Sequence, residues 1–416
     1  YYIISMKIFK NIRKKNLYLT IFILLILCVA IYFYFNTQNP KNTVEKLLDK
    51  CNIKINGTNP QDIIVHDDRF YKMVLSSGEL GLAESYMYKY WSSNNLYETL
   101  YLLSKNFNKI SYINFNFDDF INIIRSYLFN NQTIDKALID VQSHYDIGND
   151  LYTRMLDNNM QYTCAFFQDT NDLNTAQEQK MDLIGQKLNL KPGDTLLDIG
   201  CGWGYLINYL SKKYNVKGLG ITLSKEQLKY AEINFKNNSN ASYKLMDYRN
   251  IPKDMKFTKI VSVGMLEHVG NKNYEEYFDI VYQHLTDDGI ALIHTIGRQN
   301  VFEKTIGISP FINKYIFPNA WVPSWNELSP IVSNKFLIQD WQNFGKYYDN
   351  TLQSWYKNIN SKWDEIPNYD EKFKRMWNFY LLGCAVNFNL CNLNLWQILI
   401  TKSCNKLPRR DCLIKY

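Results

Sequence analysis

Residues 195–204 read Thr-Leu-Leu-Asp-Ile-Gly-Cys-Gly-Trp-Gly, and no other stretch constrains the fold as tightly. Thr195, Leu196, Leu197 and Ile199 bracket Asp198 as a short apolar and β-branched run, which predicts a buried strand. Gly200, Gly202 and Gly204 follow at a spacing that lets backbone approach a ligand closely. Helical apolar spacing then begins at Leu206 and runs to Tyr214. Strand, glycine turn and helix together make a nucleotide-binding context, which glycine spacing alone does not supply. The form D-x-G-x-G-x-G differs from the dinucleotide fingerprint G-x-G-x-x-G.

The alternation continues along the chain. Strands are expected at 216–222, 241–246, 259–263 and 290–295, with helices at 225–237 and 274–285 between them. Late runs at 336–344 and 394–401 would complete the sheet. Alternating strands and helices predict an α/β fold with a mostly parallel, doubly wound, Rossmann-like sheet. Before it, residues 60–140 carry helical spacing around Leu80, Tyr86, Tyr90, Leu96 and Leu100 and again over 117–129, as expected of a small helical domain. Residues 36–59 are polar, with Pro40 and Gly57, and read as a linker.

Residues 17–35 are 19 uncharged residues, just long enough to span a bilayer as a helix. Tyr32 and Tyr34 suit an interfacial belt. The run is long for a signal peptide and no small-x-small cleavage site follows, so an uncleaved single-pass anchor is expected. The resulting division is 1–35 basic N-terminus and anchor, 36–140 linker and helical lipid-binding domain, and 141–416 the α/β domain. Positive-inside orientation would put the α/β domain across the membrane from the cytosol. A helix lying in one leaflet, or a hairpin, would remove that conflict, and the side of the membrane stays open.

Charge agrees with a membrane partner. Residues 1–15 hold five basic residues and no acid, and 401–416 hold five and one, so only −2 of the net +7 remains for 16–400. Basic ends can meet phosphate headgroups, and no broad basic face exists to bind nucleic acid. The eight cysteines form no C-x-x-C pair and no zinc spacing, so no metal site is expected.

Several motifs occur in one order. His-Tyr-Asp-Ile-Gly-Asn-Asp stands at 144–150, Met-Gln-Tyr-Thr-Cys-Ala-Phe-Phe at 160–167 and Val-Ser-Val-Gly-Met-Leu-Glu-His-Val-Gly at 261–270. His-Thr-Ile-Gly at 294–297, Phe-Ile-Asn-Lys-Tyr-Ile-Phe-Pro-Asn at 311–319, Asp-Trp-Gln-Asn-Phe-Gly at 340–345, Leu-Gly-Cys-Ala at 382–385 and Leu-Trp-Gln at 395–397 follow. This set resembles the cyclopropane-fatty-acyl-phospholipid synthases, relatives of the mycolic acid cyclopropane synthases, over about residues 65–400. The glycine form itself is the one used by class I methyltransferases that bind S-adenosylmethionine (SAM).

The resemblance implies methyl transfer from SAM to a cis double bond of an unsaturated phospholipid acyl chain, followed by ring closure. An alkene attack leaves a carbocation, so the site must align the sulfonium methyl, exclude water and provide a base. The resemblance implies that a bound bicarbonate is that base. It assigns Tyr162, Thr163, Gly200, Gly202 and Gly204 to SAM, with Asp198 orienting the loop or accepting from the cofactor's amino group. The second strand ends at Thr222 with no acid for the ribose, and the resemblance gives that role to Gln227. Ser224 and Gln227 also have the spacing of a capping box, which competes for the same amide. Asp247, Tyr248 and Arg249 fall where the adenine edge belongs.

For the anion the resemblance assigns Cys164, Glu267, His294, the backbone of Ile296 and Tyr348. Glu267 and His294 end adjacent strands, where α/β proteins bind ligands. Cys384 is the family's labelled active-site cysteine, yet no His or cation cluster beside it in sequence would make a thiolate. A methyl-branched product, a sphingolipid acceptor, an amine acceptor and a lipid-binding module without turnover stand as alternatives. Homodimer formation is left open.

Overall fold

The computed structural model describes residues 39–106, 148–298 and 309–403. The expected anchor at 17–35, the apolar run at 117–129, His144, Tyr145, the basic residues 1–15 and residues 404–416 of the basic C-terminal end lie outside these residues. Among the described residues no helix is long and apolar enough to cross a membrane.

Residues 36–59 are not wholly a linker. Pro40–Asp49 is a helix, α1. The Asn39 side chain accepts from the N–H of Asn42 at 3.1 Å, and Pro40 sits in the first turn, where its missing N–H costs nothing. Val44 and Leu48, four apart, bury one stripe. Helices α2 (Arg69–Met87) and α3 (Leu96–Lys105) follow. Then come α4 (Asn149–Met155), α5 (Leu173–Lys187) and the sheet.

Seven strands form the sheet: β1 (Thr195–Ile199), β2 (Lys217–Thr222), β3 (Ala241–Leu245), β4 (Phe257–Val263), β5 (Leu285–Gly297), β6 (Leu337–Asn343) and β7 (Asn394–Thr401). Their spatial order is β3-β2-β1-β4-β5-β7-β6. The first five are parallel, while β7 runs antiparallel to both β5 and β6. Helices α6 (Tyr205–Tyr214) and α7 (Lys225–Asn234) connect β1 to β3. After β4 come α8 (Tyr274–His284), α9 (Pro310–Tyr315) and α10 (Trp325–Ser333). Two long helices, α11 (Gly345–Asn360) and α12 (Glu371–Asn389), stand between β6 and β7.

Strand β5 extends beyond the expected 290–295 in both directions. Its polar start, Asp287-Asp288-Gly289, hides the continuation to Leu285, which pairs with Phe257 across an irregularity in the register. At its other end β7 pairs it through Gly297.

The N-terminal helices close no core of their own. One apolar cluster joins Val44, Phe70, Trp91 and Leu100 to Trp355 of α11 and Trp377 and Leu381 of α12. Arg375 of α12 fastens the joint. Its Nε donates to the carbonyl of Tyr86 and its Nη2 to that of Trp91 at 2.8 Å, with the guanidinium 3.7 Å from the Tyr86 ring. Charge-assisted bonds to half-buried carbonyls contribute about 1.5–3 kcal/mol each when their loss strands the acceptor. Arg375→Ala should therefore raise hydrogen exchange and proteolysis over 69–105 first, while β1 to β5 keep their protection. Uniform loss of protection across both regions would contradict this hinge of stability.

Candidate active site

The sheet order reverses at β1. The chain leaves β1 outward to β2 and β3, and β4 then returns to the other flank of β1. Loops leaving β1 and β4 diverge and open a crevice at the carboxyl ends of the strands. A cleft of about 720 Å³, open mouth included, lies there, with Gly200, Gly202, Thr222, Gln227, Asp247 and Tyr248 in its walls.

The glycine turn is bent by the N–H groups of Gly200 and Cys201, which both donate to the carbonyl of Ile221, at 3.0 and 2.9 Å. Gly200, Gly202 and Gly204 take φ of 84°, 54° and 85°, in the left-handed region. Their roles differ. A Cβ on Gly204 would lie 2.6 Å from the Tyr243 ring and 2.9 Å from Ala231, so the protein itself fills that space. A Cβ on Gly202 would meet no protein atom within 4 Å, so its space belongs to the cleft.

On the opposite wall the capping box forms only by half. Ser224 Oγ accepts from the Gln227 N–H at 3.3 Å. The Gln227 side chain turns to Thr222 instead, whose hydroxyl donates to its Oε1 at 2.9 Å and accepts from the Ser224 N–H at 3.2 Å. Thr222 thereby fixes the Gln227 amide in the cleft wall. Asp247 is held by Arg249, whose Nε and Nη2 donate to its two oxygens at 2.8 and 2.7 Å. The Tyr248 ring meets Tyr277 edge-on at 5.4 Å, and its hydroxyl is buried without a partner among the described residues.

Asp198 is 1% exposed, and neither of its oxygens has a hydrogen-bond partner among the described residues. Burial pushes its pKa up to about 7, against the opposing pull of Lys180. Buried polar groups are normally paired, so such an orphan carboxylate marks a place where a donor is wanted. The left-handed turn, the Gly202 space and this carboxylate fit an adenosyl amino acid.

Tyr162 and Thr163 are not in the cleft wall. The Tyr162 ring lies 5.2 Å from Tyr152, 5.1 Å from Trp355 and 6.5 Å from Phe317, with its hydroxyl 2.9 Å from that of Tyr380. The Thr163 hydroxyl accepts from Lys180 Nζ at 2.8 Å. Tyr348 completes the aromatic enclosure, stacked on Phe388 at 4.4 Å and 22°. Burial first, then the neighbouring Cys164, Glu267, Tyr162 and Cys384, hold the Tyr348 phenol well above its ordinary pKa.

Cys164, Glu267 and Cys384 thus gather around Tyr348, and His294 faces Lys180, which also faces Cys164. Glu267 sits in a turn after β4, and its Oε1 accepts from the Ile296 N–H at 2.5 Å. Its Oε2 is buried with no partner at hydrogen-bond distance among the described residues, and burial pushes its pKa up to about 7, against the pull of the Ile296 N–H and the Thr295 side chain. His294 does not end its strand. Ile290 and Leu292 pack with Met181 and Ile184 of α5, and His294 is the next residue on that face. Its Nδ1 is 3.3 Å from Gln397 Nε2, and its Nε2 has no partner among the described residues. Burial, then Lys180 and Lys187, push its pKa down to about 3, so it is neutral. The orphan atoms of Glu267 and His294 do not bond each other.

Neither cysteine is a thiolate. Burial pushes both Cys164 and Cys384 up to about 12. Cys164 lies against the hydroxyl of Thr351, which accepts from the Ala165 N–H at 3.0 Å. Sequence reasoning missed Lys180, Thr351 and Trp355. Only Lys180 carried a signal, a cation in the buried stripe of a helix that also holds Ala176, Gln177 and Met181.

Residues 132–398 match the family of mycolic acid cyclopropane synthetase. The chain is 42% identical over 360 residues to the cyclopropane-fatty-acyl-phospholipid synthase of Escherichia coli (strain K12), covering 86% of this chain and 92% of that one. It is 33% identical over 292 residues to a sphingolipid C9-methyltransferase of Komagataella phaffii, covering 65% of this chain and 59% of that one. Among solved structures, mycolic acid cyclopropane synthase CmaA1 complexed with SAH and CTAB superposes with a TM-score of 0.59 at 31% identity, over 63% of this chain and 97% of that one.

The contrast between two glycines is testable. Gly202→Val should stay folded with a loss of about 1–3 kcal/mol from its left-handed backbone alone, yet lose S-adenosylhomocysteine (SAH) binding by about a hundredfold or more, since its side chain enters only ligand space. Gly204→Val should instead lose about 3 kcal/mol or more of stability, from overpacking and backbone strain. Calorimetry and thermal melts separate the two, and undiminished SAH affinity in Gly202→Val would refute the cleft.

Proposed function

The chain belongs to the mycolic acid cyclopropane synthetase family, and from that premise we propose that it transfers a one-carbon unit from SAM to a cis double bond of an unsaturated phospholipid acyl chain, forming a cyclopropane ring. The observation that carries this reading is the aromatic enclosure beside the cofactor cleft, with a half-neutral carboxyl at its edge. SAM, when bound, supplies an electrophilic methyl group on its sulfonium. The chain's own residues then have three tasks.

Tyr152, Trp355, Tyr380 and Tyr348 are nearly or wholly buried, so they keep water from a carbocation. Their ring faces also attract positive charge, by up to about 2 kcal/mol per desolvated contact. Glu267 holds a proton on a meaningful fraction of molecules near pH 7, so its free Oε2 can donate to an anion or accept the departing proton. Its other oxygen is locked on Ile296, which fixes the carboxyl's orientation. His294 stays neutral and presents an unpaired Nε2.

These orphan atoms fit a small polar oxyanion, and Glu267, the Ile296 backbone and His294 would hold bicarbonate, with Cys164 and Tyr348 beside Glu267. Bicarbonate supplies the base for the proton lost from the transferred methyl group. We place residues 36–140 at the lipid and 141–416 at the transfer chemistry. We further propose that the uncharged run at 17–35 attaches the chain to the membrane that holds its substrate.

Purified protein given SAM and vesicles of a cis-unsaturated phospholipid should convert acyl chains to cyclopropane forms, read by mass spectrometry and by the ring protons in NMR. Glu267→Gln should cut turnover about a hundredfold or more while SAH affinity changes by less than about threefold, since Glu267 serves proton removal and not the cofactor. Stripping bicarbonate from the buffer should slow wild type in the same way. Full turnover without bicarbonate would remove bicarbonate from the mechanism, and methylation of a headgroup amine would overturn the acyl-chain assignment.

A further inference from the structure

Lys180 has no role in the reading so far, yet its placement is costly. It lies on α5, 1% exposed, with its ammonium withdrawn from water. Such burial costs several kcal/mol unless the charge is matched. Two of its protons are accounted for, one donated to Gln161 Oε1 at 2.9 Å and one to Thr163 Oγ1 at 2.8 Å. Those partners flank Tyr162, whose ring forms the wall of the aromatic enclosure. Gln177, three residues earlier on the same helix, donates to the Thr163 carbonyl at 2.9 Å and reinforces the attachment.

We infer that Lys180 is a positioning residue that joins the two halves of the site: its ammonium clamps the 161–163 segment on the acceptor side and is the buried counter-charge of Asp198 on the cofactor side. The inference rests on the cofactor reading above. Asp198 and Lys180 are both buried, and Asp198 has no hydrogen-bond partner among the described residues. The other groups around the pair supply no opposing cation. Cys164, Cys201, Tyr243 and Tyr277 are held neutral by burial, as is His294. Asp157 faces Lys180 and shares its charge. Desolvation first, against Asp157, Cys164 and Asp198, draws the Lys180 pKa down to about 8, so it remains mainly protonated at pH 7.

Without the ammonium, Asp198 should hold its proton to higher pH. A neutral Asp198 cannot accept strongly from the cofactor's amino group, so cofactor binding should become limited by its ionisation. SAH is the probe, because its affinity reads the cofactor half without lipid turnover. In Lys180→Met, SAH affinity at pH 7 should fall at least about fivefold and recover toward pH 9, with the midpoint about one pH unit or more above wild type. A merely structural lysine would weaken binding equally at every pH. Lys180→Arg should keep the wild-type midpoint. Gln161→Leu should lower kcat about tenfold, with SAH affinity within about twofold of wild type, because it loosens only the acceptor half.

Folded Lys180→Met with the wild-type affinity and midpoint would overturn the inference. If that variant fails to fold, wild-type kcat in Gln161→Leu would overturn it just as well. Failure of wild type itself to bind SAH would instead defeat the cofactor reading.

Discussion

Everything in the site depends on one bent turn. Two N–H groups, of Gly200 and Cys201, converge on the carbonyl of Ile221, and that shared acceptor turns the chain sharply out of β1. Because the turn leaves a strand at the point where the sheet order reverses, it opens into a crevice instead of packing under a neighbouring loop. The same bend buries Asp198, two residues before it, and leaves the Gly202 space to a ligand. Fold and cofactor site are therefore one constraint. A side chain at Gly204 breaks the packing, and one at Gly202 breaks the binding.

The second half of the site follows from desolvation. The enclosure around Tyr162 and Tyr348 is built from rings contributed by the 160s segment, α11, α12 and the chain after α9, elements far apart in sequence. Dryness there has a direct electrostatic consequence. It raises Glu267 and Asp198 toward neutrality and strips the proton from His294. The carbocation proposed above would meet ring faces, a neutral imidazole and a carboxyl poised near pH 7 in such a place. Docking of α2 and α3 on α12 through Arg375 ties the N-terminal helices to the same wall.

Much of this was legible in the residues. Leu196, Leu197 and the glycine triad located β1 and its turn because a buried strand must be apolar and a tight turn must be glycine. The order of motifs located Glu267 and Tyr348. Other features were not legible, for physical reasons. Helix α1 looked like a linker because its cap, Asn39-Pro40, reads equally as a turn, and only two residues, Val44 and Leu48, are buried. Lys180 lies in the apolar stripe of its helix, but sequence cannot show that the 161–163 segment covers that stripe and receives the ammonium.

The central claim is that the transferred methyl group surrenders one proton inside this enclosure as a ring closes on the acyl chain. Turnover with SAM carrying a fully deuterated methyl tests it most directly, read by mass spectrometry of the released acyl chains. Cyclopropane formation predicts that the added carbon keeps two of its three deuterons and that the chain gains no further hydrogen. Retention of all three deuterons on the acyl chain, or their appearance on the headgroup, would contradict the account.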